Sequence, residues 1–350
     1  MFDSSETKSD ASITVLIPAY NAADFVARAI GSALAQAPPP LEIIVVDDKS
    51  TDRTVEVVGA IAATEPRIRL VELPTNLGAA GARNAGLDHA RGEWIAVLDA
   101  DDAYQPGRLS ALLATARSTN ADLVADNFRY YDAHTQEIGA CALATEPAEE
   151  VVDRHRFVER SHGFNDENDW GMLKPMFRRD FLQSHSLRYR LDARHGEDFL
   201  FVLDILLAGG HFVLNRTPYY LWTTRDSGMS RTPVNYDKMA LQNAQLLEDA
   251  RIQAEPALTR LIELRLRAIE RLSAERKISA LIADRDVPGT LALALSNRWA
   301  ARAIGRRLLD RATLAPRSRQ RRSMSHAGGV SPQARPPHLA QVKSQARRPS

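Results

Sequence analysis

One cysteine, Cys141, stands among 350 residues. A lone thiol makes no internal disulfide and builds neither a zinc cluster nor an iron–sulfur site, so stapled and metal-clustered scaffolds are excluded and a reducing cytoplasm is the expected compartment. No apolar run approaches the roughly 18–20 residues that span a bilayer. The opening MFDSSETKSD has no basic stretch leading into an apolar one. No secretory signal is read there, and any membrane role is expected to be peripheral. Two glycine loops are also missing. The first apolar run ends in PAYNAA rather than G-x-G-x-x-G, the GAAGARNAG segment from Gly78 has other spacing, and G-x-x-x-x-G-K-[ST] does not occur. A dinucleotide fold and a P-loop are thereby set aside. Acids are missing from one region only: Arg317 to Ser350 holds eight Lys or Arg and no Asp or Glu. Taking those eight charges from the formal net +1 leaves about −7 for residues 1–316, an asymmetry that the overall balance hides.

What is present is an alternation of apolar runs and helical periodicity. ITVLIP (13–18) and EIIVVDD (42–48) are β-branched runs, and between them Val26, Ile30 and Leu34 recur every four residues, one apolar helix face. Strand, helix, strand implies a parallel pair with a right-handed crossover. The unit repeats through TVEVVGAIAA, with Ser50, Thr51 and Asp52 available as caps, then RIRLVEL, a helix over 79–90, and EWIAVLDA. Strands this continuously apolar are covered on both faces, which predicts a three-layer α/β domain with a mostly parallel sheet reaching at least Asp126. From about 130 to 230 the pattern loosens. After Tyr236 it reads as helices: QNAQLLEDARI, then 257–283, then about 289–313. From about 315 the composition of Arg, Ser, Pro, Gln and Gly predicts disorder.

Ligands of such sheets bind beyond the carboxyl ends of the strands. Three strands end in polar residues: Pro18-Ala19-Tyr20-Asn21, Asp47-Asp48, and Asp99-Ala100-Asp101-Asp102. Three carboxylates within four residues repel one another, so a cation is the natural partner. Mg²⁺ takes one or two protein carboxylates, keeps waters, and binds substrate phosphates, as a nucleotide diphosphate would supply. The bland alternative is an acidic loop at a helix start, with Pro106 at the first helical position.

These segments together, PAYNAADFVARAIGSALAQ, VVDDKSTD and NLGAAGARNAGLDHARGEWIAVLDADD, resemble the start of a family 2 glycosyltransferase with the GT-A fold. The likeness is close over 13 to about 130. It continues more loosely through GMLKPMFRRDFL (171–182) and GEDFLFVLDILLAGG (196–210), where it is similar to bacterial exopolysaccharide enzymes of the succinoglycan type. The resemblance implies a GT-A domain over 13–235, with a nucleotide half (13–130) and an acceptor half (131–235), between a disordered segment 1–12 and a helical region 236–314, and a basic tail 315–350. It implies an inverting transferase using a UDP-sugar and a saccharide acceptor carried on lipid, such as a polyprenyl diphosphate. Pro18, Ala19 and Tyr20 would cradle the base, with Asp48 hydrogen-bonding it. Asp47 would instead cap the following turn. Arg83 would reach base or diphosphate through its planar fork, or would pair with one of the aspartates. Asp101 would hold Mg²⁺ or Mn²⁺, and Asp99 the ribose or the metal, with Asp102 as a third member. In Glu197-Asp198, Asp198 would be the base that takes the acceptor proton, while the repulsion of adjacent carboxylates raises one pKa. Lys174 and Arg178, four apart, would face a diphosphate, although Pro175 between them argues against one regular helix.

Two other readings share some of these residues. A nucleotidyltransferase making the sugar nucleotide would need a Gly-rich, basic loop after the first strand, which PAYN lacks. A non-catalytic sugar-nucleotide sensor would leave its ligand uncleaved. In the C-terminal region Leu295, Trp299, Ala303 and Leu308 fall on one face, flanked by Arg298, Arg302, Arg306 and Arg307. Such a basic amphipathic helix either lies on an anionic membrane surface or packs on the catalytic domain. No nucleic-acid partner is expected, since no stacking aromatics interleave with the arginines of the tail.

Overall fold

In a computed structural model, the chain is described over residues 12–161, 168–193, 195–224 and 234–314, with side chains to 306. The expected basic tail and residues 1–11 of the N-terminal segment lie outside the described residues. The first half follows the βα alternation: β1 (Ile13–Ala19), α1 (Val26–Leu34), β2 (Glu42–Asp47), α2 (Thr54–Ala62), β3 (Ile68–Glu72), α3 (Gly78–His89) and β4 (Trp94–Val97). β2 lies beside β1 and β3 beside β2, all parallel, and β4 then returns to the other flank of β1, also parallel. The strand order therefore reverses between β1 and β4. That reversal opens a crevice at their carboxyl ends, where Tyr20 and Asp99 follow.

The second half departs from a parallel sheet. After β5 (Ala103–Tyr104) and α4 (Arg108–Thr119) come β6 (Leu123–Asp132), β7 (Ile138–Cys141), β8 (Glu149–Val152), α5 (Arg154–Arg160), a 3₁₀ turn (Trp170–Met172), β9 (Met176–Arg178), α6 (Arg179–Ser184), α7 (Glu197–Leu207) and β10 (Phe212–Thr224). The described strands form one mixed sheet in the order β3-β2-β1-β4-β9-β6-β10-β5, with β7 and β8 paired off this path. β9 is antiparallel to both β4 and β6. The short strand β5 pairs antiparallel with β10, so Gly107 rather than an acid precedes α4, and the acidic loop caps no helix.

The helices after Tyr236 are more broken than their periodicity implies: α8 (Tyr236–Leu246), α9 (Ala250–Gln253), α10 (Pro256–Ala283), α11 (Val287–Ser296) and α12 (Arg298–Leu314). Polar caps make the breaks. The Asp249 carboxylate accepts from Arg251 N, and Asn297 Oδ1 accepts from Trp299 N and Ala300 N, so a new helix starts at each. Leu295 and Trp299 thus sit on separate helices. Ala300 and Ala303 turn inward onto Ala274 and Ile278 of α10, with Trp299 packed beside them. The side chain of Leu308 lies outside the described residues. Leu246, Ile252, Leu258 and Ile262 join the core of the sheet domain.

α3 carries Arg83 and sits close on β1. At Gly86 an added Cβ would collide with Leu16 Cδ1, and Leu16 is fully buried. Alanine is normally worth about 1 kcal/mol over glycine inside a helix, but overpacking of about 1–3 kcal/mol opposes it where the neighbour cannot move. Gly86→Ala is expected to destabilise the fold by about 1–2 kcal/mol, read as a lowered denaturant midpoint; a stabilised protein would mean α3 lifts off β1 freely.

Candidate active site

The chain ends of β1 and β2 are stitched to each other. Asn21, at positive φ, accepts from Thr51 N through Oδ1, and its own N–H donates to Ser50 Oγ. Asp47 is buried and caps the next turn by accepting from Ser50 N, the role read for it in the sequence. Asp48 turns to α3: its carboxylate accepts from Leu77 N at 2.7 Å and Gly78 N at 2.8 Å. An anionic side chain is favoured at that helix start by the exposed N–H groups and the dipole. Ala19 is buried in the β1–β2 pairing and Pro18 is half-buried there, while Tyr20 is 50% exposed at the rim.

The acid end of β4 is where charge gathers. Arg83, buried on α3, reaches three carboxylates: Asp99 Oδ1 at 2.9 Å, Asp198 Oδ1 at 2.9 Å and Glu197 Oε1 at 3.1 Å. Lys174 Nζ lies 2.6 Å from Asp198 Oδ2 and 3.0 Å from Asp99 Oδ2. Five residues from α3, β4, the approach to β9 and the first turn of α7 thus form one closed set of ion pairs. Burial alone would raise the Asp99 carboxyl, but Lys174 and Arg83 override it and hold it well below the usual carboxylate range. Glu197 goes the other way: burial, then the neighbouring Asp198 charge, raise it against the pull of Arg83. Lys174 is raised despite its burial because Asp198 and Asp99 face it.

β9 explains why Lys174 arrives and Arg178 does not. Running antiparallel to β4, it pairs Met176 with Ala96 and Arg178 with Trp94. Lys174 therefore sits at the carboxyl end of β4 and Arg178 at the opposite end, since four residues of extended chain cover about 13 Å. Arg178 donates to Ala121 O at 2.6 Å and Asn120 Oδ1 at 3.2 Å, and its guanidinium lies over the Trp94 ring. Its expected diphosphate role is withdrawn.

A buried layer behind this network was invisible in the sequence. Arg108 and Asp126, both fully buried, are joined by bonds of 2.7–3.1 Å, and Arg108 also donates to the carbonyl of Lys174 at 2.6 Å. The Arg108 guanidinium lies 4.3 Å from the Tyr104 ring centre and 5.1 Å from that of Tyr220. Tyr220 donates its hydroxyl proton to Asp102 at 2.7 Å and accepts from Asp99 N at 3.2 Å. Asp102 also accepts from Thr223 N at 2.7 Å; burial first, then Asp101 and Asp99, push its carboxyl well up. Arg28 donates to Asp101 O at 2.8 Å and bonds Thr223 Oγ1. The hydrogen-bonded partners between side chains lie 18 to 195 residues apart, and no local spacing signals them.

A glycosyl transferase family 2 model matches residues 14–182. The succinoglycan biosynthesis protein ExoU of Rhizobium meliloti (strain 1021) is 33% identical over 249 residues, 69% of this chain and 71% of ExoU. The chain belongs to glycosyl transferase family 2. ExoO of the same organism, also a succinoglycan biosynthesis protein, is 37% identical over 63% of this chain, which spans 62% of the length of ExoO. Among solved structures, S. aureus TarS 1–349 in complex with UDP-GlcNAc superposes with a TM-score of 0.56 at 19% identity, covering 79% of this chain and 89% of that one, which shows a shared GT-A fold.

The family's expected metal can be tested against the donor set. Among the described residues, no group of three or more His, Cys, Asp or Glu side chains is arranged to hold an ion. Both Asp99 oxygens already face cations, so a divalent ion on Asp99 would sit against Lys174 and Arg83; the expectation of Asp99 as a metal ligand is withdrawn. Asp102 is turned into the core. Asp101, half-buried at the strand end, fits an ion that arrives with phosphate oxygens, because Mg²⁺ needs only one or two protein carboxylates.

Breaking a buried ion pair from one side costs about 3–5 kcal/mol. Arg108→Met is expected to lose that much in chemical unfolding, because Asp126 is left buried and alone and the Lys174 carbonyl loses its donor. Wild-type stability in that variant would show that the layer behind the site is dispensable.

Proposed function

We propose that the chain is an inverting glycosyltransferase that moves a hexose from a UDP-sugar to a saccharide acceptor carried on lipid, in exopolysaccharide synthesis at the cytoplasmic membrane face. The observation that carries the reading is the placement of Asp198 beside the acid end of β4, bound to Arg83 and Lys174 together with Asp99. Uridine is assigned to the edge formed by Tyr20 and Asp48. Solved complexes of TarS with UDP and with UDP-GlcNAc support a nucleotide-sugar donor on this fold.

In the proposed step the acceptor hydroxyl lies against Asp198, whose carboxylate keeps acceptor positions beyond those used by Arg83 and Lys174. Asp198 takes the hydroxyl proton as the oxygen attacks the anomeric carbon from the face opposite the diphosphate. The bond from that carbon to the phosphate oxygen breaks, its electron pair leaves with UDP, and the configuration inverts. Arg83 and Lys174 fix the base and leave it one orientation. Glu197, buried and raised, takes no proton from the acceptor and serves to hold Arg83 in place. Mg²⁺ or Mn²⁺, held by Asp101 with the diphosphate, would stabilise charge on the leaving group.

Asp198→Asn is expected to lower transfer by at least about a hundredfold, the scale of a lost general base, while UDP binding by calorimetry stays within a few-fold; full transfer by this variant would remove Asp198 from its role. Exhaustive chelation, or Asp101→Ala, is expected to abolish transfer, with activity returning on Mn²⁺ addition to the wild type only. Release of pyrophosphate from UTP and a sugar phosphate, in place of UDP from a UDP-sugar, would establish a nucleotidyltransferase.

A further inference from the structure

α11 is apolar along most of its length yet contributes no fully buried residue, with only Leu293 packed against the α10–α12 cluster. Val287, Leu291 and Leu295 recur every four residues and are 63%, 58% and 90% exposed, a ridge along one helix face. Ile282, at the end of α10, is exposed as well. The fold does not need this ridge, because α12 closes the cluster on α10 through Ala300, Ala303 and Trp299. Exposed apolar ridges of this kind mark contact surfaces.

Charge selects the partner. Arg298 and Arg302, on α12 just beyond the end of α11, are exposed and lie over the Trp299 ring at 4.8 and 5.2 Å; Arg306, also exposed, comes one turn later. The acids nearby are otherwise occupied in part: Asp286 caps α11 through Gly289 N, and Glu275 faces Arg306 at 3.8 Å. Beyond α12 the chain adds eight Lys or Arg and no acid. A second copy of the chain is a poor match, since a stable interface needs about 800 Å² per partner and a ridge of three side chains falls far short of that. An apolar ridge bordered by arginines fits the headgroup boundary of an anionic bilayer, where the side chains bury shallowly and each basic residue adds about 1 kcal/mol.

We infer that α11, rather than α12, supplies the apolar face of a membrane-docking surface: Val287, Leu291 and Leu295 enter the interface of an anionic bilayer while Arg298, Arg302 and Arg306 of α12 meet its headgroups. This rests on the lipid-carried acceptor only for its purpose, and it places the catalytic domain at the surface where such an acceptor is held.

The test uses the full chain and vesicles of phosphatidylcholine with or without phosphatidylglycerol, read by co-sedimentation. Binding is expected to the phosphatidylglycerol vesicles only, to weaken with salt, and to fall at least about tenfold in Leu291→Asp/Leu295→Asp. Leu291→Ala/Leu295→Ala, which keeps helix propensity, is expected to fall in the same direction, with both variants melting as wild type. Unchanged vesicle binding by both variants would overturn the inference. So would equal binding to neutral vesicles, or a wild-type dimer that the same substitutions dissociate. Because no donor or acceptor is present, failure here leaves the transferase reading standing, and loss of transfer to a soluble acceptor in Asp198→Asn bears only on that reading.

Discussion

Two buried cations among three carboxylates are the constraint on which the rest of the molecule depends. Arg83 and Lys174 join the end of β4 to the start of α7, and neither element would hold its acids there without them. Unpaired charge is expensive away from water, so each group must be answered by another. Two positive charges against three negative ones leave one surplus negative charge. The raised Glu197 carboxyl is the local response, since burial favours its neutral form. The same arithmetic bears on the donor. Arg83 and Lys174 are already matched by acids, and Asp101 adds another, so these residues offer a diphosphate no surplus positive charge. Under the proposed reading, a nucleotide diphosphate would be received with a divalent cation that answers both Asp101 and the phosphates.

The closed set needs a rigid frame, and the polar layer beneath it provides one. Arg108 and Asp126 are too deeply buried to be explained as a gain in stability, because a buried pair seldom outperforms packed apolar residues. Their geometric effect is clearer: the guanidinium fixes the Lys174 carbonyl, and Tyr220 joins Asp102 to the backbone of Asp99. The three carboxylates of the acidic motif thus divide their work. Asp99 binds cations of the chain, Asp102 locks the loop to β10, and Asp101 stays half-buried between them.

Much of this was legible in the sequence where chemistry and periodicity coincide. The βα alternation to Asp126 follows from apolar runs and four-residue spacing, and the gathering of Tyr20, Asp48 and Asp99 at one edge follows from parallel strands. Arg83 pairing with an aspartate was one of two open readings. What sequence spacing misjudged was direction. Lys174 and Arg178 look like neighbours in a row of letters, but an antiparallel strand sends them to opposite ends of β4. Asn297 likewise reads as one polar residue in a helical run, and only its side-chain bonds to Trp299 N and Ala300 N show it as a start signal that moves the exposed apolar face from α12 to α11. Arg108, Asp126 and Tyr220 gave no signal at all, since their meaning is a contact between distant elements.

The family match ends at residue 182, before Glu197 and Asp198. The link from the matched half to the candidate base is physical rather than textual. Arg83, within the matched stretch, bonds Asp198 on α7, and Lys174, also within it, bonds the same carboxylate from the other side. The helix places those acids in its first turn, where its own dipole favours negative charge, and Gly196 at positive φ turns the chain into it. A general base must be stationary relative to the bond it serves. Here Arg83 from α3 and Lys174 from the approach to β9 do the holding, so the candidate base is registered to the acid end of β4 through the same residues that neutralise Asp99.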